Sequence, residues 1–177
     1  MSRYAIWAIA AAAVAIAFIV LEPFFVAPTT HGAGPQGLVG QAAPVFALTD
    51  DRGAAVSLDQ YRGRIVVMNL WASWCPPCRA EMPDLQRLAH AYRGDRIAIV
   101  GVNEGESPER ARAFADSLQI AFPIWIDAAQ RYGRTYGALG LPTTVILDAN
   151  GVVVRGFDGA LTFAQMQAAV APLVRAR

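Results

Sequence analysis

The stretch 71–78 reads WASWCPPC and holds both cysteines of the chain, Cys75 and Cys78. Two sulfurs at this spacing can be half of a metal site, a covalent staple or a redox couple. A structural zinc site takes about four Cys or His ligands. Beyond the cysteines the chain has only His31 and His90, which have no metal-ligand spacing to them. Covalent haem attachment needs a His directly after the second Cys, and Arg79 stands there. A staple stabilises by closing a long loop in the unfolded chain, and this one closes a trivial loop. On a first helical turn, however, residues i and i+3 are neighbours, so disulfide and dithiol interconvert with little backbone motion.

The position also activates the sulfur. A helix is expected to open at Pro76 or Pro77, which places Cys75 where unpaired N–H groups and the positive end of the helix dipole favour a thiolate. The thiolate is the attacking species. Cys78, one turn deeper, is then the resolving thiol of a mixed disulfide on Cys75. Pro76 and Pro77 stiffen the loop and place no cation between the sulfurs, which predicts a couple more reducing than the strongest oxidants.

The elements around this stretch read as an alternation. Pro44–Leu48 and Ala54–Leu58 bracket the turn DDRG as an entry hairpin. Arg64–Trp71, RIVVMNLW, is a β-branched, nearly continuous apolar run of the kind covered on both faces of a sheet. The helix after WASWC runs to about Tyr92, with Leu85, Leu88, Ala89 and Tyr92 at helical spacing and Gly94 closing it. Arg96–Asn103 is a second buried strand. Ser107-Pro108-Glu109 opens another helix with a cap, an N1 proline and an acidic first turn.

Pro123–Ile126 is a short strand and Ala128–Tyr136 a short helix. Thr143–Leu147 and Val152–Gly156 flank a tight turn at Asn150-Gly151, and Thr162 caps a last helix running to about Val174. This order implies an α/β layer architecture with a mixed sheet. In such sheets chemistry gathers beyond the C-terminal ends of the parallel strands, which is where WASWCPPC falls.

At 177 residues the chain has room for one domain and an extension, and its 15 Lys plus Arg against 14 Asp plus Glu leave no basic footprint for nucleic acid. Residues 5–21, AIWAIAAAAVAIAFIVL, lack any charge. With residues 22–26 they are long enough for the roughly 30 Å hydrocarbon core. The reading is a cytoplasmic N-terminus (1–4), a single transmembrane anchor (5–26), a Pro/Gly/Thr-rich linker (27–37) and a globular domain (38–177). A cleaved secretory signal competes with the anchor, but its cleavage sites, after Ala27 or Ala33, are poor. Arg3 before the apolar run keeps the N-terminus cytoplasmic. The domain is therefore expected outside the inner membrane, in the periplasm or beyond the cell.

The segments VGQAAPVFALTDDRG, RGRIVVMNLWASWCPPCRAEMPDL, IAIVGVNEGE and YGALGLPTTVILDANGVVV together resemble the membrane-anchored thioredoxin-like proteins of the TlpA/ResA type, from about Gly40 to the C-terminus. The resemblance implies a thioredoxin fold with an N-terminal β-hairpin and an insert over about Glu104–Asp127. It also implies an extracytoplasmic thiol-disulfide oxidoreductase that usually works as a reductant. Asn69 stands where thioredoxin has a buried acid. Glu81 matches the acid of the ResA pattern CxxCxxE, near enough to exchange protons with the thiols; the alternative is an ordinary solvated helical Glu.

Pro142 matches the cis-proline facing the disulfide, which implies that Leu141 presents its backbone for strand-like pairing with a client. Trp74, Pro76 and Thr143 complete the expected substrate-binding surface, while Trp71 and Trp125 read as core. The branch resembling CcmG tends to carry an acid after this proline, and Thr143 there leans away from a dedicated role with apocytochrome c.

Clients with disulfides or thiols, such as apocytochrome c or copper-site assembly proteins, are the expected partners of a monomer that needs no cofactor. With no second CxxC, electrons must arrive from another protein, and the resemblance implies a membrane thiol transporter of the DsbD or CcdA kind. Two other functions compete. A peroxiredoxin-like peroxidase needs PxxxTxxC, but Met68 and Ala72 occupy the positions of its Pro and Thr. A copper or haem chaperone would use Cys75 and Cys78 as soft ligands.

Overall fold

The computed structural model describes residues 34–94 and 96–175. The expected anchor at 5–26 and the linker as far as residue 33 lie outside the described residues. Among the described residues, no helix is long and apolar enough to cross a membrane.

Seven strands form one mixed sheet: β1 (Leu48–Asp50), β2 (Ala55–Val56), β3 (Ile65–Trp71), β4 (Ile97–Glu104), β5 (Ile124–Asp127), β6 (Thr143–Leu147) and β7 (Val153–Asp158). Their spatial order is β2-β1-β5-β4-β3-β6-β7. Strands β3, β4 and β5 run parallel, and β1, β6 and β7 join antiparallel. The helices are α1 (Pro76–Ala91), α2 (Pro108–Ser117), α3 (Arg131–Thr135) and α4 (Phe163–Arg175). This is the expected α/β architecture. The insert supplies α2 and β5, and the N-terminal hairpin attaches through β1 to the edge that β5 provides.

Every residue of β3 and β4 is buried, as apolar runs covered on both faces require. The two-residue period of a strand divides β3 between two cores. Ile65, Val67 and Trp71 pack with Cys75, Cys78, Met82, Leu85 and Leu88. Val66, Met68 and Leu70 pack with Trp125, Tyr132 and Tyr136 on the other face. Trp71 and Trp125 are both core, as expected. Asn69 falls by parity on the cysteine face. Gly101 of β4 makes room there, since a Cβ on it would lie 2.9 Å from the Trp71 indole nitrogen.

Along α1, the buried residues Cys78, Glu81, Met82, Leu85 and Leu88 recur every three or four positions, forming the stripe that docks the helix on the sheet. Each fully buried Leu or Met there stabilises by about 1.5–3 kcal/mol. At α4 the cap is reciprocal: the Thr162 backbone N–H donates to Gln165 Oε1 at 2.8 Å, and the Gln165 N–H donates to Thr162 Oγ1 at 3.4 Å.

Four boundaries differ from the sequence expectation. The entry hairpin pairs Leu48–Asp50 with Ala55–Val56 only, and Leu58 opens a 3-10 helix, Leu58–Tyr61. Helix α3 starts at Arg131 rather than Ala128, because Asp127 takes the Tyr132 N–H on its side chain at 2.6 Å and the Gln130 N–H on its carbonyl. The β6–β7 turn is wider than a two-residue hairpin. Asp148 Oδ1 accepts the N–H groups of Asn150 and Val152 at 2.9 Å each, and Gly151 supplies the positive φ of +79°. Finally, Gly34–Leu38, at the end of the segment read as linker, forms a 3-10 helix. Pro35 packs on Gly156 of β7 so closely that a Cβ at Gly156 would meet it within 2.8 Å.

Candidate active site

β3 ends at Trp71, and Ala72–Trp74 carry the chain to Cys75, the N-cap of α1 in an extended conformation (φ −85°, ψ 109°). The Cys75 sulfur accepts the Cys78 backbone N–H at 3.2 Å. Pro76, at the first helical position, needs no partner for a donor it lacks. Cys75 and Cys78 are joined in a disulfide with their Cα atoms 5.3 Å apart. Cys78 is fully buried and Cys75 keeps a 2% edge, so only the first cysteine of the pair touches the surface. Among the described residues, no group of three or more His, Cys, Asp or Glu is placed to hold a metal ion.

Glu81 is not a solvated helical residue: it is 3% exposed and lies in the apolar stripe of α1. Its two oxygens have separate partners. Oε1 accepts the Leu161 N–H at 2.8 Å and Oε2 accepts Asn69 Nδ2 at 3.0 Å. Asn69 also donates to Thr144 Oγ1 at 2.9 Å, across the β3–β6 pair in which the two residues are opposite. Burial pushes the Glu81 carboxyl up to about 7, against the pull of the Leu161 and Asn69 hydrogen bonds. A buried acid that is half-protonated near neutral pH, one helical turn from Cys78, is suited to exchange a proton with that thiol.

A second carboxylate holds the loop before the cysteines. Glu106 accepts the Ser73 N–H and the Ser73 hydroxyl, each at 2.6 Å, and Asn103 Nδ2 at 2.8 Å. Arg110 Nε lies 2.7 Å from Oε1, the oxygen that also takes the Ser73 hydroxyl. Burial raises the Glu106 carboxyl, but the hydrogen bonds from Asn103 and Ser73 and the Arg110 charge outweigh it, so the group lies below its ordinary range. Sequence reasoning missed Glu106, Ser73 and Asn103. The only trace of Asn103 and Glu106 is a polar run, NEGESPE, between a buried strand and a capped helix.

The register of β3 and β6 sets Leu70 opposite Thr143, which brings Pro142 to the same end of the sheet as WASWC. The Leu141–Pro142 bond is cis. Leu141 packs against the cluster that contains both cysteines, and its backbone N–H and C=O have no hydrogen-bond partner among the described residues. Pro142 itself is buried.

Trp74 is 59% exposed and Pro76 is exposed beside it, whereas Thr143 is fully buried. The Thr143 hydroxyl points inward, 2.8 Å from Gly140 O and from Asp158 Oδ1. Its part in the site is to fix the proline segment. Leu139, 71% exposed three residues before Pro142, was not anticipated.

Residues 39–155 match the AhpC/TSA family. The thiol-disulfide oxidoreductase ResA of Geobacillus thermodenitrificans is 39% identical over 124 residues, 70% of this chain and 71% of that protein. The thioredoxin-like protein YneN of Bacillus subtilis is 40% identical over 131 residues, 72% of this chain and 76% of that protein. A solved structure from Chlorobium tepidum, provisionally named a thiol:disulfide interchange protein DsbE, superposes with a TM-score of 0.69 at 30% identity, covering 78% of this chain and 96% of that one. With its cysteine pair at the start of α1 in a thioredoxin-like fold, the chain belongs to the AhpC/TSA family and is a thiol-disulfide oxidoreductase similar to ResA and YneN.

Proposed function

We propose that the protein reduces disulfides in exported client proteins, working from the outer face of the inner membrane. The observation that carries this reading is the Cys75 sulfur at the N-cap of α1, which accepts the Cys78 N–H, with Glu81 buried one turn beyond. In the reduced protein that N–H and the helix dipole stabilise a Cys75 thiolate. The thiolate attacks one client sulfur, and the other client sulfur leaves and takes a proton. Cys78 gives its proton to Glu81 and attacks Cys75, and the second client sulfur leaves as a thiolate that takes up the proton Glu81 gives back. The protein ends as the disulfide, two electrons having passed to the client.

The Leu141 backbone, unpaired and packed beside the cysteine cluster, is the edge on which an extended client segment pairs, with Trp74 as the apolar contact next to it. The single CxxC of the sequence calls for electrons from another protein, and the resemblance to the TlpA/ResA type supports a membrane thiol transporter of the DsbD or CcdA kind as that donor. The charge-free run 5–21 supports a single-pass anchor. Buried thiol exchange on one chain needs no second copy, and we take the monomer as the working unit.

A trapping experiment tests this reading. Cys78→Ala leaves Cys75 able to attack but removes the resolving thiol, so exported proteins accumulate as mixed disulfides on Cys75 and can be identified by mass spectrometry. A variant that traps nothing, in cells where the native protein stays oxidised, would sink the reductase reading.

A further inference from the structure

Asp158, at the end of β7, takes no part in the thiol chemistry above, yet it touches the client-facing segment at two points. Asp158 stands opposite Thr143 in the β6–β7 register, so its side chain reaches that segment from the neighbouring strand. Its Oδ1 accepts the Leu139 N–H at 3.2 Å and lies 2.8 Å from Thr143 Oγ1. The Thr143 hydroxyl is equally close to Gly140 O and has one proton to give. A carboxylate is the stronger acceptor, so the proton goes to Asp158.

One oxygen thus collects a donor from each side of Leu141–Pro142. The next residue adds a third tie, as the Gly159 N–H donates to Pro142 O at 2.9 Å. On its other side the carboxylate is covered closely: a Cβ at Gly34 would lie 2.7 Å from Oδ2. The 3-10 helix Gly34–Leu38 can therefore close over Asp158 because its first residue has no side chain.

We infer that Asp158 is a positioning residue for client binding, anchoring Leu139 and Thr143 so that the Leu141 backbone between them is held ready for a client strand. The inference rests on the reading of Leu141 as the docking edge. A segment fixed beforehand need not be ordered when the client arrives, so the anchor acts on association with peptides and not on sulfur chemistry. Asp158 makes no hydrogen bond to Cys75, Cys78 or Glu81.

The test compares two disulfides with the same leaving group. The reduced protein is mixed with a short cysteine peptide bearing a thionitrobenzoate mixed disulfide, and separately with the symmetrical bis(nitrobenzoate) disulfide. Release of thionitrobenzoate follows attack by Cys75 in both, and the ratio of the two rate constants reports peptide recognition.

Asp158→Ala is expected to lower that ratio about three- to tenfold, the size of one net hydrogen bond. Asp158→Asn, which keeps an acceptor oxygen, is expected to stay within about twofold of the native ratio, and the shape-preserving Thr143→Val to fall part of the way. An unchanged ratio in folded Asp158→Ala overturns the inference. So does Asp158→Asn falling as far as Asp158→Ala, because charge rather than anchoring would then be at work. If Asp158→Ala does not fold, an unchanged ratio in Thr143→Val has the same force. A native ratio near one would instead remove the docking reading beneath it.

Discussion

Asn69 on β3 and Glu81 on α1 meet in the buried interior through a 3.0 Å hydrogen bond from Asn69 Nδ2 to Glu81 Oε2. Thioredoxin, which the sequence resembles, has a buried acid at the place of Asn69, on the strand. Here the strand supplies an uncharged donor and the helix supplies the acid. The buried carboxyl therefore lies on α1, one turn after Cys78, and it is oriented by β3 on one side and by the Leu161 N–H on the other.

Glu81→Gln keeps the shape and the acceptor oxygen but removes the proton carrier. Resolution of a mixed disulfide on Cys75 should slow by about tenfold to a hundredfold near neutral pH. The rate should also lose the titration expected of the native protein around pH 7, where burial pushes the Glu81 carboxyl. Rapid-mixing measurement of thiol release across pH 5–9 checks both; an unchanged pH profile would make Glu81 a packing residue.

Asn69→Asp places a second acid against Glu81. Like charges in one buried site raise the pKa of one member, so the titration near pH 7 should move upward by about a unit or more. Asn69→Ala removes a hydrogen bond that lowers the Glu81 carboxyl and should also shift it upward, with a loss of about 1–3 kcal/mol in stability from the orphaned partners. Carbon-detected NMR of the Glu81 carboxyl gives the shift directly, and denaturant unfolding gives the stability.

Glu106 gathers donors from Ser73, Asn103 and Arg110 in one buried spot. Glu106→Ala leaves the buried Ser73 and Asn103 donors without their acceptor and should cost about 1–3 kcal/mol, the exposed Arg110 guanidinium adding little. Because Ser73 lies two residues before Cys75, the reduction potential of the couple should shift as well. Unfolding curves and equilibration with glutathione measure the two effects, and a potential unchanged alongside lost stability would confine Glu106 to the scaffold.

Glu104 and Asp127 stand opposite each other on β4 and β5, both buried. Burial, and then the Asp127 charge, push the Glu104 carboxyl up to about 7. A carboxyl raised on folding holds its proton more tightly in the native state between its unfolded and folded pKa values. Stability should therefore fall as pH rises from about 4.5 to 7 and stay low above that. Glu104→Gln keeps an acceptor for the Gly133 N–H and should raise stability by about 1–3 kcal/mol at pH 8 with little change at pH 5. Equal effects at both values would show that the Glu104 carboxyl is not raised on folding.

The chemistry and the order of elements were legible in the residues alone. The spacing of Cys75 and Cys78 ahead of a helix implied a reversible couple at an N-cap, and β3 and β4 were legible because an apolar run covered on both faces has little other use. Those signals are local, carried by residues within one turn or one strand. The tertiary structure decided which way side chains faced. Glu81 could be read as solvated until the stripe from Cys78 to Leu88 was seen to run through it. That stripe is the signal that extends Leu85 and Leu88 back to position 81.

The inward direction of the Thr143 hydroxyl was not legible in the sequence, because it is set by β7 placing Asp158 opposite it. Glu106 and Asp158 left no usable trace, since a polar residue in a loop or at a strand end reads as solvated until its partners arrive from distant parts of the chain. Hydrogen bonds spanning 33 residues to Ser73 and 15 to Thr143 fix their roles. Such contacts are set by the register of strands and not by any local period.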